Sequence, residues 1–504
     1  MVVETTIKEL QSEYVNNNTN SEEVVKRYIN RIKKYDDQLN SIIAINPSAV
    51  EAAKKRDKEL LDSGLQGPLH GIPVALKDNI STFDMPTTAG SKAFKDYISD
   101  EDAHLVKNLR SAGAIILCKT NLGDFATGYH SSMNGRTNNP YDTTRTPSGS
   151  SAGSGVSVAA NLATVGVGTD TGGSVRQPSA YNGLFGMRPT PGLISRSGII
   201  PVSYTQDTAG PMTRTVEDMA ILLDGLVSYD HNDERTAENY NHIPQSYQSF
   251  LNAEKISDVR IGVLRDSGKF IGCKDIDEKN QSKADKVTEV FFNSMSKIES
   301  LGGEITYSVS IDGIWEIATK IDSITKGAEF LDEMQKFINS TNDTLPYNSI
   351  DDVVQSGKYI NKKGTQKRLN GIAKEIDVEL NNPPLEENVL YQRYFNKRKK
   401  IRNSVIEEIE KNNLDALAFP TFARPPIKHE SGNYRSSSNT HVASATDLPE
   451  ITIPIGFVEI NGNELPVAMD LIGPKYSEPK LIEIAYSFEQ ISRVRAPPAE
   501  FGAL

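Results

Sequence analysis

Two stretches decide how this chain reads: Pro147-Ser148-Gly149-Ser150-Ser151-Ala152-Gly153-Ser154-Gly155 and Gly168-Thr169-Asp170-Thr171-Gly172-Gly173-Ser174-Val175-Arg176-Gln177-Pro178. Upstream of both, Ile72-Pro73-Val74-Ala75-Leu76-Lys77 ends an apolar run in a lysine. Together they supply hydroxyl nucleophiles, flexible backbone amides suited to an anion, and a base that is not histidine. This is the equipment of a serine hydrolase acting on an amide or ester.

In the second stretch, glycine lets successive N–H groups converge and lets a substrate approach closely. Thr171, Gly172 and Gly173 precede Ser174, and a helix starting near Ser174 adds its positive N-terminal end. Such an oxyanion hole is often the largest catalytic term, with one donor worth about 3–4 kcal/mol. The plain alternative is a glycine-rich turn. Lys77 has a stem that emerges from a buried strand, where desolvation disfavours the ammonium and frees a neutral amine. Its plain alternative is a strand-end lysine paired with Asp78.

Neither stretch contains a phosphate-loop or dinucleotide glycine pattern. Gly149-Ser150-Ser151-Ala152-Gly153 does fit the nucleophile elbow G-x-S-x-G, which would make Ser151 the nucleophile. An elbow needs an apolar strand just before it, and Asp142 to Ser148 is polar and broken by proline. None of the seven histidines sits in a triad context, and no His/Cys/Asp cluster has metal-ligand spacing. No metal and no cofactor is implied.

The chain has 504 residues, 24% of them charged, with net charge −11 and pI about 5.3. That balance argues against a nucleic-acid partner. The basic run Lys397-Arg398-Lys399-Lys400 reads as the solvated face of a helix. Cys118 and Cys273 are the only cysteines; Cys118 lies in an apolar strand and reads as a core residue. No signal peptide and no membrane span is evident, which suggests a cytoplasmic protein.

The chain reads as an α/β fold with a central mixed sheet covered by helices on both faces. Residues 1–65 are N-terminal helices, with Ser21 as a cap. Strands are expected at 72–77, 114–118 and 163–169, and helices at 102–112, 154–162, 174–182 and 215–227, the last capped by Thr215. Residues 230–256 read as loop. Further strands fall at 259–264, 304–309, 416–420, 450–455 and 466–472. The expectation is one domain over 1–504: a core at 66–230, a helical flank or lid at 320–412, and C-terminal elements at 413–504 returning to the core.

The motifs resemble the amidase signature family. The resemblance is dense from Glu22 to Ser228. It includes Gly67-Pro68-Leu69-His70-Gly71-Ile72-Pro73, Lys119-Thr120-Asn121-Leu122, Asn138-Asn139-Pro140-Tyr141 and Asp207-Thr208-Ala209-Gly210-Pro211-Met212. It returns at Leu448 to Phe457. The resemblance implies a Ser–cis-Ser–Lys triad: Ser174 the nucleophile, Ser150 the middle serine after a cis peptide bond, Lys77 the base. The 24 residues between the two serines agree with it. Neutral Lys77 would take a proton from Ser150, and Ser150 one from Ser174. Ser174 would then attack the amide carbonyl, with the oxyanion on the amides of Thr171 to Gly173, and water would cleave the acyl-enzyme. Ser151, Asp170 and Arg176 match recurrent family positions and are assigned to supporting the loop.

Within the family, Ser203 to Thr208 and Ser477-Glu478-Pro479-Lys480-Leu481 look most like peptide-amidase-type members. The expected substrate is a small-molecule or peptide amide, and the expected state a monomer or homodimer. The alternative is a glutaminase-type A subunit of a glutamyl-tRNA amidotransferase, although the arginine-rich segment expected of such a protein is not found between 310 and 400. A non-catalytic scaffold is disfavoured by the intact triad positions. Trp315 and Tyr129 either line an acyl pocket or serve core and surface roles.

Overall fold

Pro73-Val74-Ala75-Leu76-Lys77 has no polar side chain before its last residue, so as a strand it needs cover on both faces. The computed structural model describes residues 2–266, 270, 276–341, 344–360, 365, 384–432 and 434–502. In it this segment is β2 (Pro73–Lys77), buried throughout and parallel to both β3 (Ile115–Thr120) and β6 (Val165–Asp170). β1 (Ile42–Ile45) lies antiparallel on the outer side of β3. Beyond β6 the sheet continues through β8 (Thr208–Thr213), β7 (Phe185–Arg188), β12 (Glu450–Ile460), β13 (Asn463–Ile472), β11 (Ala416–Pro420), β9 (Arg260–Arg265) and β10 (Glu304–Ser310). One eleven-stranded mixed sheet therefore joins both halves of the chain. A separate ribbon pairs β4 (His130–Ser131) with β5 (Gly135–Arg136).

The small-residue helix Ala152–Ala159 packs against β2, β3, β6 and β8. Its approach is so close that a Cβ on Gly153 would lie 2.2 Å from the Ser41 carbonyl oxygen and 2.3 Å from the Asn121 nitrogen. The backbone of this helix thus lies directly against the segments that precede β1 and follow β3. The helix Val216–Asp224 begins as expected, with the Thr215 hydroxyl accepting from Asp218 N at 3.1 Å. The helix Ser21–Leu39 is capped one residue earlier than expected. Asn20 Oδ1 accepts from Glu23 N at 2.8 Å, while Ser21 is the first helical residue and its N–H binds Asp57.

Three strands escape a reading by periodicity. β1 has four residues, β7 carries a glycine, and β8 carries a glycine and a proline in place of an unbroken apolar run. The turn between β12 and β13 is Asn461-Gly462, both at positive φ, which is the preferred two-residue hairpin connection. Residues 230–256 are not purely loop: a short helix spans Arg235–Asn239 and 3₁₀ turns follow.

In the 320–412 region, helices run over Ile314–Ser340, Ile350–Ser356 and Val389–Lys411; residues 361–364 and 366–383 lie outside the described residues. Trp315 is core, edge-on to Phe419 with ring centroids 5.2 Å apart. The basic run at 397–400 is only partly solvated. Lys399 and Lys400 are exposed, but Arg398 is buried in an ion pair with Asp447 because it faces the helix His441–Thr446. Cys118 is buried in β3, and burial pushes its thiol up; Cys273 lies outside the described residues. Among the described residues no helix is long and apolar enough to cross a membrane.

Candidate active site

Parallel pairing of β2 with β6 sets the C-terminal ends of the two strands side by side, with Leu76 opposite Val167. Lys77 ends β2, and Thr169 and Asp170 end β6. Lys77 is fully buried, and its Nζ is within hydrogen-bond distance of Ser150 Oγ at 2.8 Å, Thr169 Oγ1 at 2.8 Å and the Thr169 carbonyl at 3.1 Å. Asp78 does not take the role of its partner. Its carboxylate accepts from Thr88 and faces the buried Lys119 ammonium at 3.4 Å.

Gly149-Ser150 is a cis peptide bond. Ser150 is wholly buried, whereas Ser174 keeps 8% of its surface exposed. Ser151 N donates to the Ser174 carbonyl at 3.1 Å, which joins the two serine stretches. The Ser174 hydroxyl makes no hydrogen bond among the described residues, so the link from Ser150 to Ser174 is not closed in this structure. Such contacts commonly tighten only when substrate binds. The Ser151 hydroxyl is buried and clamps the Thr169 backbone, bonding both its N–H and its carbonyl at 3.2 Å. No strand precedes Ser151, so the elbow geometry is absent.

Asp170 organises the turn that carries Ser174. One carboxylate oxygen accepts from Gly173 N at 2.8 Å, Arg176 Nη2 at 3.0 Å and Arg188 Nη1 at 3.1 Å. The other accepts from Val175 N and Arg176 Nε, both at 3.1 Å. Burial alone would raise the Asp170 carboxyl, but the Arg176 and Arg188 guanidinium groups outweigh it and hold it well below the usual range. Gly173, expected among the oxyanion donors, therefore has its N–H committed to Asp170. The N–H groups of Thr171, Gly172 and Ser174 donate to nothing among the described residues. The helix after the nucleophile is only Arg176–Tyr181 and has no side-chain cap.

Arg176 extends the network across the sheet. It is fully buried, pairs with Glu450, and donates to the Thr440 carbonyl at 2.6 Å and to Ser444 Oγ at 2.9 Å. Glu450 and Asp470 stand on the paired strands β12 and β13. Burial pushes both carboxyls up, Glu450 well above the usual range. Glu450 Oε2 and Asp470 Oδ2 are both buried without a hydrogen-bond partner among the described residues.

Side chains to which sequence reading gave no role at the site close the other side. Thr171 Oγ1 donates to Asp207 at 2.5 Å, and Asp207 in turn holds the N–H groups of Val202 and Ser203. A Cβ on Gly172 would lie 2.7 Å from Asp322 Oδ1, and one on Gly173 2.2 Å from Thr440 Oγ1. The glycines thus admit these neighbours. Glu329, on the same helix as Asp322, accepts from Thr205 N at 3.0 Å and from Tyr391 OH at 2.6 Å, fastening the helix to the 203–207 loop. Tyr129 stacks on His429 with centroids 5.6 Å apart. A cavity of about 450 Å³ lies between the 196–207 loop and the helix Ile314–Ser340, and shares Ser203 and Asp207 with the residues around Ser174 described above. Asp207 lay within a recognisable motif, as did Glu450; Arg188 and Asp322 carried no local signal.

Comparison with known proteins finds relatives over almost the whole chain. The Amidase family model matches residues 23–482. The A subunit of the glutamyl-tRNA(Gln) amidotransferase of Methanosarcina acetivorans is 32% identical, over 94% of each chain. A probable amidase of Arabidopsis thaliana is 31% identical, over 99% of this chain and 92% of its own. The crystal structure of native peptide amidase from Stenotrophomonas maltophilia superposes with a TM-score of 0.85 at 32% identity, covering 98% of both chains.

Proposed function

Because the chain belongs to the amidase family, we propose that it hydrolyses a linear carboxylic amide through an acyl-enzyme on Ser174, with Ser150 and Lys77 as the proton relay. The observation that carries this is the buried Lys77–Ser150 contact of 2.8 Å in a site where Ser174 keeps 8% of its surface exposed. Neutral Lys77 takes the Ser150 proton as Ser150 takes that of Ser174, and Ser174 Oγ attacks the carbonyl carbon. The oxyanion is met by the uncommitted N–H groups of Thr171, Gly172 and Ser174, while Gly173 is held by Asp170. The relay then returns a proton to the leaving nitrogen, ammonia or an amine departs, and water repeats the sequence on the ester. No metal is needed for any step. We read the chain as one catalytic domain that works without a partner.

The substrate class we favour is an amide of peptide-like size, supported by the TM-score of 0.85 to a peptide amidase. The test is ammonia release from a panel of peptide amides, aliphatic amides and glutamine by the purified chain alone. Turnover of the first two, lost in Lys77→Ala, Ser150→Ala and Ser174→Ala, is expected. A second reading, the A subunit of an amidotransferase, is favoured by the identity to that relative. It predicts glutamine as the substrate and activity only with partner proteins added.

A further inference from the structure

The helix Ile314–Ser340 brings a charged group onto the turn that precedes Ser174. Asp322 is 1% exposed, and its Oδ1 would be 2.7 Å from a Cβ on Gly172. Gln206 Nε2 bridges it to the turn, donating to Asp322 Oδ1 at 2.8 Å and to the Thr171 carbonyl at 3.3 Å. The other oxygen of Asp322 faces the Lys326 ammonium, one helical turn on, and His441 Nδ1 at 3.5 Å. Lys326 Nζ would itself be 3.3 Å from the Gly172 Cβ. Burial alone would raise the Asp322 carboxyl, but Lys326 and His441 outweigh it, so it is an anion.

An anion beside Gly172 is a liability where negative charge develops on the substrate oxygen. We infer that Asp322 is a positioning residue for the oxyanion turn, acting through Gln206, and that Lys326 cancels its charge at the point where the oxyanion forms. Asp322 fixes the Thr171 carbonyl, and so the facing of the Gly172 N–H, while Lys326 keeps the local field from opposing the reaction. This rests on the oxyanion assignment proposed above.

The charge claim is tested by kcat and KM on a neutral amide, together with the rate at which a fluorophosphonate labels Ser174. The phosphonyl oxygen of that adduct reports on the same N–H groups. Lys326→Met should lower both kcat and the labelling rate at least tenfold with KM changed less than threefold, and Lys326→Arg should restore them. The double variant Asp322→Asn/Lys326→Met, with neither charge, should return to within about threefold of wild type, since asparagine can still accept from Gln206. A double variant as slow as Lys326→Met would overturn charge cancellation, as would an effect of Lys326→Met on KM alone or on nothing. Asp322→Ala should slow labelling even with Lys326→Met, because the tie to Gln206 is lost; an unchanged rate would overturn the positioning role. Labelling at Ser174 that is insensitive to all of these defeats this inference alone. Labelling that survives Ser174→Ala defeats the catalytic reading on which it stands.

Discussion

Asp170→Asn tests whether one buried carboxylate holds the nucleophile turn in shape. The side chain keeps its size but loses its charge and exchanges one acceptor oxygen for a donor. Arg176 and Arg188, both fully buried, each face Asp170 across about 3 Å. Two unit charges 4 Å apart attract by about 4 kcal/mol at an effective dielectric of 20. Desolvation cancels part of this, and breaking a buried pair typically costs about 3–5 kcal/mol. That is a large share of the roughly 5–15 kcal/mol that stabilises a folded protein. Activity should fall further than stability implies, because one of the Gly173 and Val175 N–H groups, which bond different carboxylate oxygens, loses its acceptor and the Ser174 turn relaxes. One misplaced oxyanion donor alone costs about a hundredfold or more in kcat. Urea unfolding followed through the single tryptophan, Trp315 in the core, reads the stability. Amide turnover without urea, at a temperature where the variant is folded, reads the chemistry. A loss below about 1 kcal/mol together with unchanged kcat would refute the assignment.

The same network predicts a milder outcome nearby. Glu450→Gln should cost far less than Asp170→Asn in urea unfolding and in kcat, because burial pushes the Glu450 carboxyl well above the usual range and the amide keeps an acceptor for Arg176; a loss comparable to Asp170→Asn would mean that the charge of Glu450 is required. Gly172→Ala should lower kcat at least tenfold in steady-state assays, since its Cβ meets Asp322 at 2.7 Å and forces the turn to shift. Glu489, half-buried on the helix Glu478–Ser492, accepts from Val216 N, and burial pushes its carboxyl up to about 8. A carboxyl that is raised on folding contributes stability below its unfolded value near 4.5 and loses it as pH rises towards 8. Glu489→Gln should therefore flatten the fall in unfolding free energy across that window by up to about 5 kcal/mol; parallel pH curves for variant and wild type would contradict this.

Elements with a strong local signature were legible in the sequence. β11 falls at 416–420 as read, and β2, β3 and β6 were apolar enough to be recognised within two residues. The Thr215 cap was legible because a threonine preceded an apolar helical run. Asn20 was passed over for Ser21, since both are good caps and only Asp57, a tertiary partner, separates them. β7 and β8 owe their strand form to neighbours in the sheet, as does β1, so local pattern could not reveal them. The site divides the same way. Lys77 and Ser150 stood in recognisable motifs, and the structure brings them into contact. Arg188, Glu450 and Asp322 reach the turn from other strands and a distant helix, and only the sheet order brings them there. The commitment of Gly173 to Asp170 depends on the direction of one N–H, which residue type does not determine.

If Ser174 is the nucleophile and buried Lys77 serves it through Ser150, a fluorophosphonate should find the same serine. Intact mass spectrometry after exposure to that probe tests this most directly, on wild type, Ser174→Ala and Lys77→Ala. One adduct is predicted on wild type, none on Ser174→Ala, and slowed labelling of Lys77→Ala. An adduct that persists in Ser174→Ala would contradict the assignment and move the nucleophile to another hydroxyl.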